Sequence, residues 1–235
     1  MSEPLVYRDG ALGCRGELHR PDGVANGRAV LVVHEADGIG GNVRRRAAQF
    51  ADLGYAALVA DLYGEGRTFD GDSYREPMMA LRNNPPAFRR RVQAGVDALA
   101  GAAGIGPERI AAVGYCFGGL AVLELARGGA PVAAVASFHG LLTSPAPAGP
   151  GAIRAKVFAA AGALDPLVPP ADVAAFQAEM GEARADWQLH VYGPALHSFT
   201  NVGVAGSPDP RMDYHAPSDR QSWAAMLAFF AEAFA

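Results

Sequence analysis

The feature that most constrains the fold of this chain is a series of short apolar runs separated by segments of helical character. Each run is continuous and is bounded by polar or small residues, which is typical of a strand buried on both faces of a sheet. The runs are Ala29–Val33, Ala56–Ala60, residues 110–113, residues 132–136, residues 157–161 and Trp187–Tyr192. Strands that alternate with helices form a parallel sheet covered by helices. We therefore predict an α/β fold with a mostly parallel sheet and helices on both faces.

The length of 235 residues fits one large α/β domain as well as two small ones. We expect one domain over residues 1–235, because no stretch of the chain is long enough to separate two. Residues 5–8 and Leu12–His19 are predicted as a further pair of strands before the first run. Two stretches rich in Gly or Pro, residues 64–86 and 142–151, are too short to separate domains. We expect both to be surface excursions, which either wall a functional site or form solvated turns.

Composition argues against several classes of partner. The chain is 50% hydrophobic and 19% charged with a formal net charge of −4, so no basic surface for nucleic acid is expected. No apolar run approaches a bilayer-spanning length and no secretory leader is visible, so we expect a cytoplasmic protein without a membrane partner. In that compartment Cys14 and Cys116 are expected to be free thiols.

Neither a metal nor a cofactor is predicted. The six histidines show no paired ligand spacing, and neither cysteine has a close partner of ligand type. A glycine-rich turn at residues 38–41 follows a predicted strand, but Val43 stands where a dinucleotide-binding fingerprint requires its third glycine.

The C-terminal segment has the pattern of an amphipathic helix. Ser218 and Gln221 form a capping-box pattern, which predicts the start of the helix. One apolar face follows, formed by Trp223, Met226, Leu227, Phe230 and Phe234. We expect this face to pack against the sheet.

Residues 114–119, with the sequence Gly-Tyr-Cys-Phe-Gly-Gly, carry the clearest chemical signal. They join a predicted strand directly to a helical stretch, so Cys116 occupies the nucleophile position of a sharp strand–turn–helix elbow. Gly114 and Gly118 are needed there because the turn is strained and the strand and helix pass close together. The N-terminus of the helix favours the thiolate of Cys116. A small buried cysteine in a glycine-rich turn is the structural alternative.

Two further residues have the positions that a nucleophilic cysteine requires. Asp165 follows the predicted strand at residues 157–161, and His197 follows Trp187–Tyr192. The order nucleophile, acid, base is that of the α/β-hydrolase fold. We predict that His197 takes the thiol proton of Cys116 and that Asp165 fixes the tautomer of His197. Taken singly, an acid beside a proline is usually a turn residue and a lone loop histidine is usually solvated, so the prediction rests on their joint occurrence.

The same fold binds a developing oxyanion with two backbone N–H groups. One belongs to the residue after the nucleophile and the other to the loop after an early strand. These rules assign the oxyanion hole to Phe117 and Ala36.

Taken together, these motifs resemble the dienelactone hydrolase family over nearly the whole chain. The motifs that carry the resemblance are Val33-His34-Glu35, Asp61-Leu62-Tyr63-Gly64, Gly114-Tyr115-Cys116-Phe117-Gly118-Gly119, Phe138-His139-Gly140, Gly162-Ala163-Leu164-Asp165 and His197-Ser198-Phe199. The resemblance implies a Cys-His-Asp triad that cleaves a small ester or lactone through an acyl-thioester. It also implies that Glu35 contacts the resting thiol and helps form the thiolate when substrate enters. The protein is expected to be a monomer or a homodimer.

One position departs from the family pattern. Characterised members have an arginine four residues after the catalytic histidine, where it binds the substrate carboxylate, and Asn201 stands there in this chain. A neutral amide does not replace a bidentate guanidinium. Arg75 and Arg82, in the stretch 64–86, are the other candidates for that charge, although a solvated surface position is the simpler expectation.

Two other functions remain open from sequence. Within the enzyme class, the chain is also consistent with a general carboxylesterase or thioesterase. Outside it, the same fold accommodates a binding protein that has kept the cleft and lost turnover, because a fold alone does not determine function.

Overall fold

The computed structural model describes residues 2–235 and has a single eight-stranded sheet at its centre. The strands are β1 (Ser2–Asp9), β2 (Leu12–His19), β3 (Ala29–Val33), β4 (Ala56–Ala60), β5 (Ile110–Tyr115), β6 (Ala134–Phe138), β7 (Lys156–Gly162) and β8 (Trp187–Tyr192). Their order across the sheet is β1-β2-β4-β3-β5-β6-β7-β8. The pairs β1 with β2 and β2 with β4 are antiparallel, and every other pair is parallel. The predicted mostly parallel sheet is thus confirmed.

Six α-helices cover this sheet. They are α1 (Gly41–Asp52), α2 (Arg75–Arg82), α3 (Pro85–Ala103), α4 (Phe117–Arg127), α5 (Pro170–Glu182) and α6 (Ala216–Ala233). Short 3₁₀ turns occur at Pro107–Arg109 and Val202–Val204. Among residues 2–235, none of the helices combines the length and apolar character that crossing a bilayer requires.

Two hydrophobic cores lie on opposite faces of the sheet. Phe88 of α3, Leu120 of α4 and Phe176 of α5 belong to one core, and Phe50 of α1 and Phe230 of α6 belong to the other. Successive residues of a strand point to opposite faces, so an apolar run such as β3 contributes to both cores. The helices on both faces that the sequence predicts are therefore present.

The sixth strand begins later than predicted. The apolar run at residues 132–136 suggested a strand there, whereas β6 spans Ala134–Phe138. Val132 is buried in the core before the strand begins, so its apolar character reflects burial and not sheet pairing.

The predicted start of the last helix is wrong. His215 is the N-cap of α6, and its ring Nδ1 accepts a hydrogen bond from the Ser218 backbone N–H. Ser218 therefore lies in the first turn, with its hydroxyl 2.8 Å from the same ring nitrogen. The predicted apolar face packs on the core, with Met226 and Phe230 fully buried, and Phe229, outside the predicted face, is buried as well.

The two predicted excursions differ in character. Residues 64–86 contain α2 and the first two residues of α3. Residues 142–151 form an irregular segment fixed to the helices beneath it, because Arg127 donates to the Leu142 carbonyl oxygen and Arg89 donates to that of Ala146. We therefore assign a connecting role to residues 142–151.

Candidate active site

The candidate site lies where the parallel strands of the sheet end. Glu35 follows β3, Cys116 follows β5, His139 follows β6, Asp165 follows β7 and His197 follows β8. The carboxyl ends of parallel strands meet at one edge of a sheet, and ligands of open α/β sheets bind outside that edge. This topology brings together side chains that are far apart in the sequence.

Cys116 occupies a strained turn between β5 and α4. Its backbone has φ +53°, which is unfavourable for a residue with a Cβ atom. A Cβ at Gly114 would collide with the carbonyl oxygen of Gly118, and a Cβ at Gly118 would collide with that of Val33. The two glycines therefore let the helix approach the strands closely enough to present the sulfur at the edge of the sheet.

The structure places Cys116, His197 and Asp165 in a continuous chain of contacts. His197 Nε2 lies 3.1 Å from Cys116 Sγ, and His197 Nδ1 lies 2.8 Å from Asp165 Oδ2. Burial alone would lower the pKa of His197. The charge of Cys116 and the hydrogen bonds with Asp165 and Cys116 outweigh that effect and raise the pKa to about 10. The geometry thus favours an imidazolium beside the sulfur.

Backbone contacts fix the acid and the base. The second carboxylate oxygen of Asp165 accepts a hydrogen bond from the Leu167 N–H at 2.8 Å. The His197 N–H donates to the Arg211 carbonyl oxygen, and the His197 carbonyl oxygen accepts from the Asp213 N–H. The carboxylate of Asp165 and the backbone of His197 are therefore held in place.

The other cysteine has a different environment. Cys14 is only 1% exposed in β2, and burial raises the pKa of its thiol to about 11. A buried, protonated thiol is a poor nucleophile. Cys116 is therefore a better candidate for the nucleophile than Cys14.

Glu35 is buried next to the site, with its carboxyl group bound by two amides. Its Oε1 accepts hydrogen bonds from Asn42 Nδ2 at 2.7 Å and from Asn201 Nδ2 at 3.1 Å. Burial raises the pKa of Glu35 to about 7, although the Asn42 hydrogen bond opposes the rise. The thiol of Cys116 is bound instead by His197, so the thiol contact implied for Glu35 requires a different arrangement of this side chain.

A cavity of about 380 Å³ opens over Cys116 and His197. Its walls include Glu35, Ala36, Phe69, Tyr74, Asn201 and Met212. Phe69 and Tyr74 come from the excursion at residues 64–86, which therefore forms one wall of the site. Within residues 2–235 there is no cluster of three or more His, Cys, Asp or Glu side chains suited to a metal ion.

The two predicted oxyanion donors lie beside this cavity. Ala36 lines it, and Phe117 begins α4 directly after Cys116. Neither backbone N–H donates to an acceptor within residues 2–235. Both are therefore free to bind an oxygen of a substrate.

The cavity has more acidic than basic groups. Glu35, Asp37 and Asp70 line it, whereas no Lys or Arg among the described residues does so. Arg75 is exposed and forms an ion pair with Asp72 outside the cavity. Arg82, the other candidate for a substrate-binding charge, is also absent from the cavity walls.

Sequence reasoning did not assign roles to three polar residues around the site. Asn42 binds Glu35, while His139 contacts the Cys116 backbone and Thr200. His139 belongs to the motif Phe138-His139-Gly140, which is visible in the sequence. Nothing in the local sequence of Asn42 or Thr200 indicates which distant residues they contact.

Comparison with known proteins identifies the family to which the chain is similar. The sequence profile described as the dienelactone hydrolase family matches residues 14–234. The chain is similar to the solved structure m3DLH, with 37% identity, a TM-score of 0.93 and coverage of 100% of this chain and 99% of the other.

Two other relatives have names that describe an activity. A dienelactone hydrolase-like promiscuous phosphotriesterase from metagenomic libraries is 35% identical, with a TM-score of 0.91 and coverage of 100% of this chain and 99% of that one. A Yersinia pestis protein assigned as a carboxymethylenebutenolidase is 26% identical over 86% of this chain and 77% of its own length.

Proposed function

Because the chain belongs to the dienelactone hydrolase family and is a carboxylic ester hydrolase, we propose that Cys116, His197 and Asp165 are its catalytic triad. The observation that carries this proposal is the chain of contacts from Cys116 Sγ through His197 to Asp165 at the base of an open cavity. Members of the family act on small esters or lactones, and such a molecule is the proposed substrate class.

In the first half of the proposed reaction, His197 holds the proton of the Cys116 thiol and the thiolate attacks the ester carbonyl carbon. The carbonyl oxygen becomes an oxyanion, which accepts hydrogen bonds from the Ala36 and Phe117 N–H groups. The carbon–oxygen bond of the ester then breaks, and His197 donates its proton to the departing alkoxide. An acyl-thioester remains on Cys116.

In the second half, His197 accepts a proton from a water molecule, and the resulting hydroxide attacks the thioester carbonyl. The same two N–H groups bind the second oxyanion. The carbon–sulfur bond breaks, the carboxylic acid is released, and the proton on His197 restores the starting pair with Cys116. Asp165 keeps His197 in one tautomer through both steps, because its carboxylate accepts from Nδ1.

Glu35 is proposed to assist the formation of the thiolate. It lines the same cavity as Cys116, and a pKa of about 7 suits a group that exchanges a proton near neutral pH. To reach the thiol, its carboxyl group has to leave Asn42 and Asn201. Exchange between these two arrangements would couple thiol ionisation to the arrival of substrate.

The electrostatics of the cavity favour neutral substrates. Asn201 supplies an amide where a carboxylate-binding arginine would be expected, and it donates to Glu35. The acidic groups Asp37 and Asp70 also line the cavity and would repel an anionic substrate. We therefore propose a small neutral ester or lactone as the preferred substrate.

Trapping the acyl-enzyme tests the triad directly. The protein is mixed with a slowly hydrolysed aryl ester and analysed by mass spectrometry after acid quenching and proteolysis. We expect the acyl mass on the peptide that contains Cys116, and no adduct in Cys116→Ala. Turnover by Cys116→Ala, or an acyl group on Cys14, would refute the proposal.

A general carboxylesterase is the second candidate, and hydrolysis of a neutral phosphotriester is a third activity to test. Similarity to the promiscuous phosphotriesterase over the whole chain favours testing that chemistry. Comparing kcat/KM for a lactone with that for an aryl ester and an aryl phosphotriester, the last two sharing one aryl leaving group, separates the three activities. A lactone preference supports the first proposal, whereas a preference for the aryl ester supports the general esterase.

A further inference from the structure

His139 has an unusual backbone and a fully buried ring. It follows β6 with φ +41°, which costs a residue other than glycine roughly 1 kcal/mol or more. Its backbone N–H donates to the carbonyl oxygen of Ala160 in β7 at 2.8 Å, which extends the pairing of β6 with β7 to His139. Such strain persists only where the surrounding structure imposes it.

The hydrogen bonds of the ring determine its tautomer. The Cys116 backbone N–H donates to His139 Nδ1 at 3.1 Å, and it also lies 3.0 Å from the Phe138 carbonyl oxygen. A backbone N–H is always a donor, so Nδ1 carries no proton. The proton of the neutral ring is therefore on Nε2, which is 2.9 Å from Thr200 Oγ1.

The same ring contacts the proposed catalytic base. The rings of His139 and His197 pack edge to face, with centroids 5.4 Å apart and an interplanar angle of 70°. Thr200 belongs to the loop that carries His197, and its carbonyl oxygen accepts from Arg45 and Arg46 of α1. His139 thus connects the backbone of the nucleophile to the loop of the base.

We infer that His139 is a positioning residue, whose neutral ring holds the Cys116 backbone and the His197 ring in their reactive arrangement. This inference rests on the proposed function of Cys116 and His197. It assigns to His139 two tasks that a residue filling space would not have. The ring must offer an acceptor to the Cys116 N–H, and it must remain uncharged beside His197.

The surroundings keep the ring neutral. Tyr115 and Cys116 face it from the end of β5, His197 faces it from the loop after β8, and Arg46 approaches from α1. Burial lowers the pKa of His139 well below its usual value, and the positive charges of His197 and Arg46 lower it further. Protonation would place a second N–H group against the Cys116 N–H and break that hydrogen bond.

Two substitutions separate positioning from packing. His139→Asn keeps an acceptor at the δ1 position and tolerates a positive φ, but it loses the ring. His139→Phe keeps the ring and loses the acceptor. Both kcat for a neutral ester and the rate of Cys116 alkylation by iodoacetamide are measured, with His190→Phe as the control for loss of a histidine outside the site.

We expect kcat and the alkylation rate to be highest in the native protein, lower in His139→Asn and lowest in His139→Phe. In His139→Phe both should fall about 10- to 100-fold, with little change in KM. His190→Phe should behave as the native protein. A role limited to filling space predicts the opposite order, because Phe preserves the buried ring. Rates are compared per folded protein, with the folded fraction taken from urea unfolding, so that strain at the positive φ of residue 139 does not produce the order by itself. An active His139→Phe together with an impaired His139→Asn would therefore overturn the inference.

Thr200 provides a second test if the His139 variants fold poorly. Thr200→Val removes the partner of Nε2 and leaves the side-chain volume nearly unchanged, so the tautomer with a proton on Nδ1 becomes accessible. We expect a lower kcat and a slower alkylation, with Thr200→Ser close to native. Native rates in Thr200→Val would refute the role of the tautomer. Failure of the triad itself would appear separately, as turnover by Cys116→Ala.

Discussion

The buried carboxyl group of Glu35 should lower the stability of the native protein at neutral and alkaline pH. Its pKa rises from 4.5 to about 7 on folding, chiefly because burial disfavours the charged form. At 1.36 kcal/mol per pKa unit, this rise corresponds to roughly 3 kcal/mol. Glu35 is only 8% exposed, so solvent screening reduces this value little.

The direction of this change in stability with pH follows from the protons that the folded and unfolded states bind. Between pH 4.5 and about 7, the folded protein keeps the proton of Glu35 while the unfolded chain loses it. The unfolding free energy therefore falls as pH rises through this range, and the full cost is present above pH 7. Below pH 4.5 both states are protonated and the cost disappears.

The substitution Glu35→Gln isolates this contribution. Both hydrogen bonds from Asn42 and Asn201 go to Oε1, which a glutamine amide oxygen can replace. We expect the variant to be stabilised, with a gain roughly 2 kcal/mol larger at pH 8 than at pH 5. Urea unfolding of both proteins at the two pH values measures the difference.

Glu182→Gln, at the exposed end of α5, is the matched control for the loss of a carboxylate, and it should change stability little. A gain for Glu35→Gln that is equal at the two pH values would refute the reasoning, as would destabilisation at pH 8. If Glu35 also assists thiolate formation, the stabilised variant should lose about tenfold or more in kcat.

Three further predictions concern the reaction. Cys116→Ala should be inactive and Cys14→Ala nearly native in an ester hydrolysis assay, and an inactive but folded Cys14→Ala would contradict the assignment. His197→Ala should lower kcat by about 10²- to 10⁴-fold and leave a residual rate, and Asp165→Asn should be damaging as well. Unchanged hydrolysis in both variants would exclude the triad. For a matched pair of neutral and anionic lactones, the native protein should hydrolyse the neutral one at least as well. Asn201→Arg should raise kcat/KM for the anion by roughly 10- to 100-fold. A native preference of about a hundredfold for the anion would contradict the electrostatic argument.

The elbow could be predicted from sequence because its constraints are local. Gly114 and Gly118 have backbone neighbours that exclude a Cβ atom, and this requirement is visible as two glycines around Cys116. The parallel topology then specifies which loops share an edge, so the positions of Asp165 and His197 could be predicted from the order of the strands alone.

Contacts between distant loops could not be predicted in this way. Asn42 and Asn201 both donate to Glu35, although they lie on different elements and neither has a motif that indicates a partner. The N-cap of α6 was missed for a related reason. A histidine is an uncommon cap, and His215 performs that role because its ring accepts from the Ser218 N–H.

The distribution of backbone strain connects the fold with the proposed chemistry. Five non-glycine residues among those described have a positive φ, and three of them, Cys116, His139 and Ser198, lie at the candidate site. Each such conformation costs of order 1 to 3 kcal/mol, so packing elsewhere must outweigh it. Cys116 and His139 directly follow β5 and β6, strands whose residues are all buried, whereas Ser198 lies in the loop after the edge strand β8. The sheet can therefore impose on its terminal residues the conformations in which Cys116 and His197 face each other before a substrate binds.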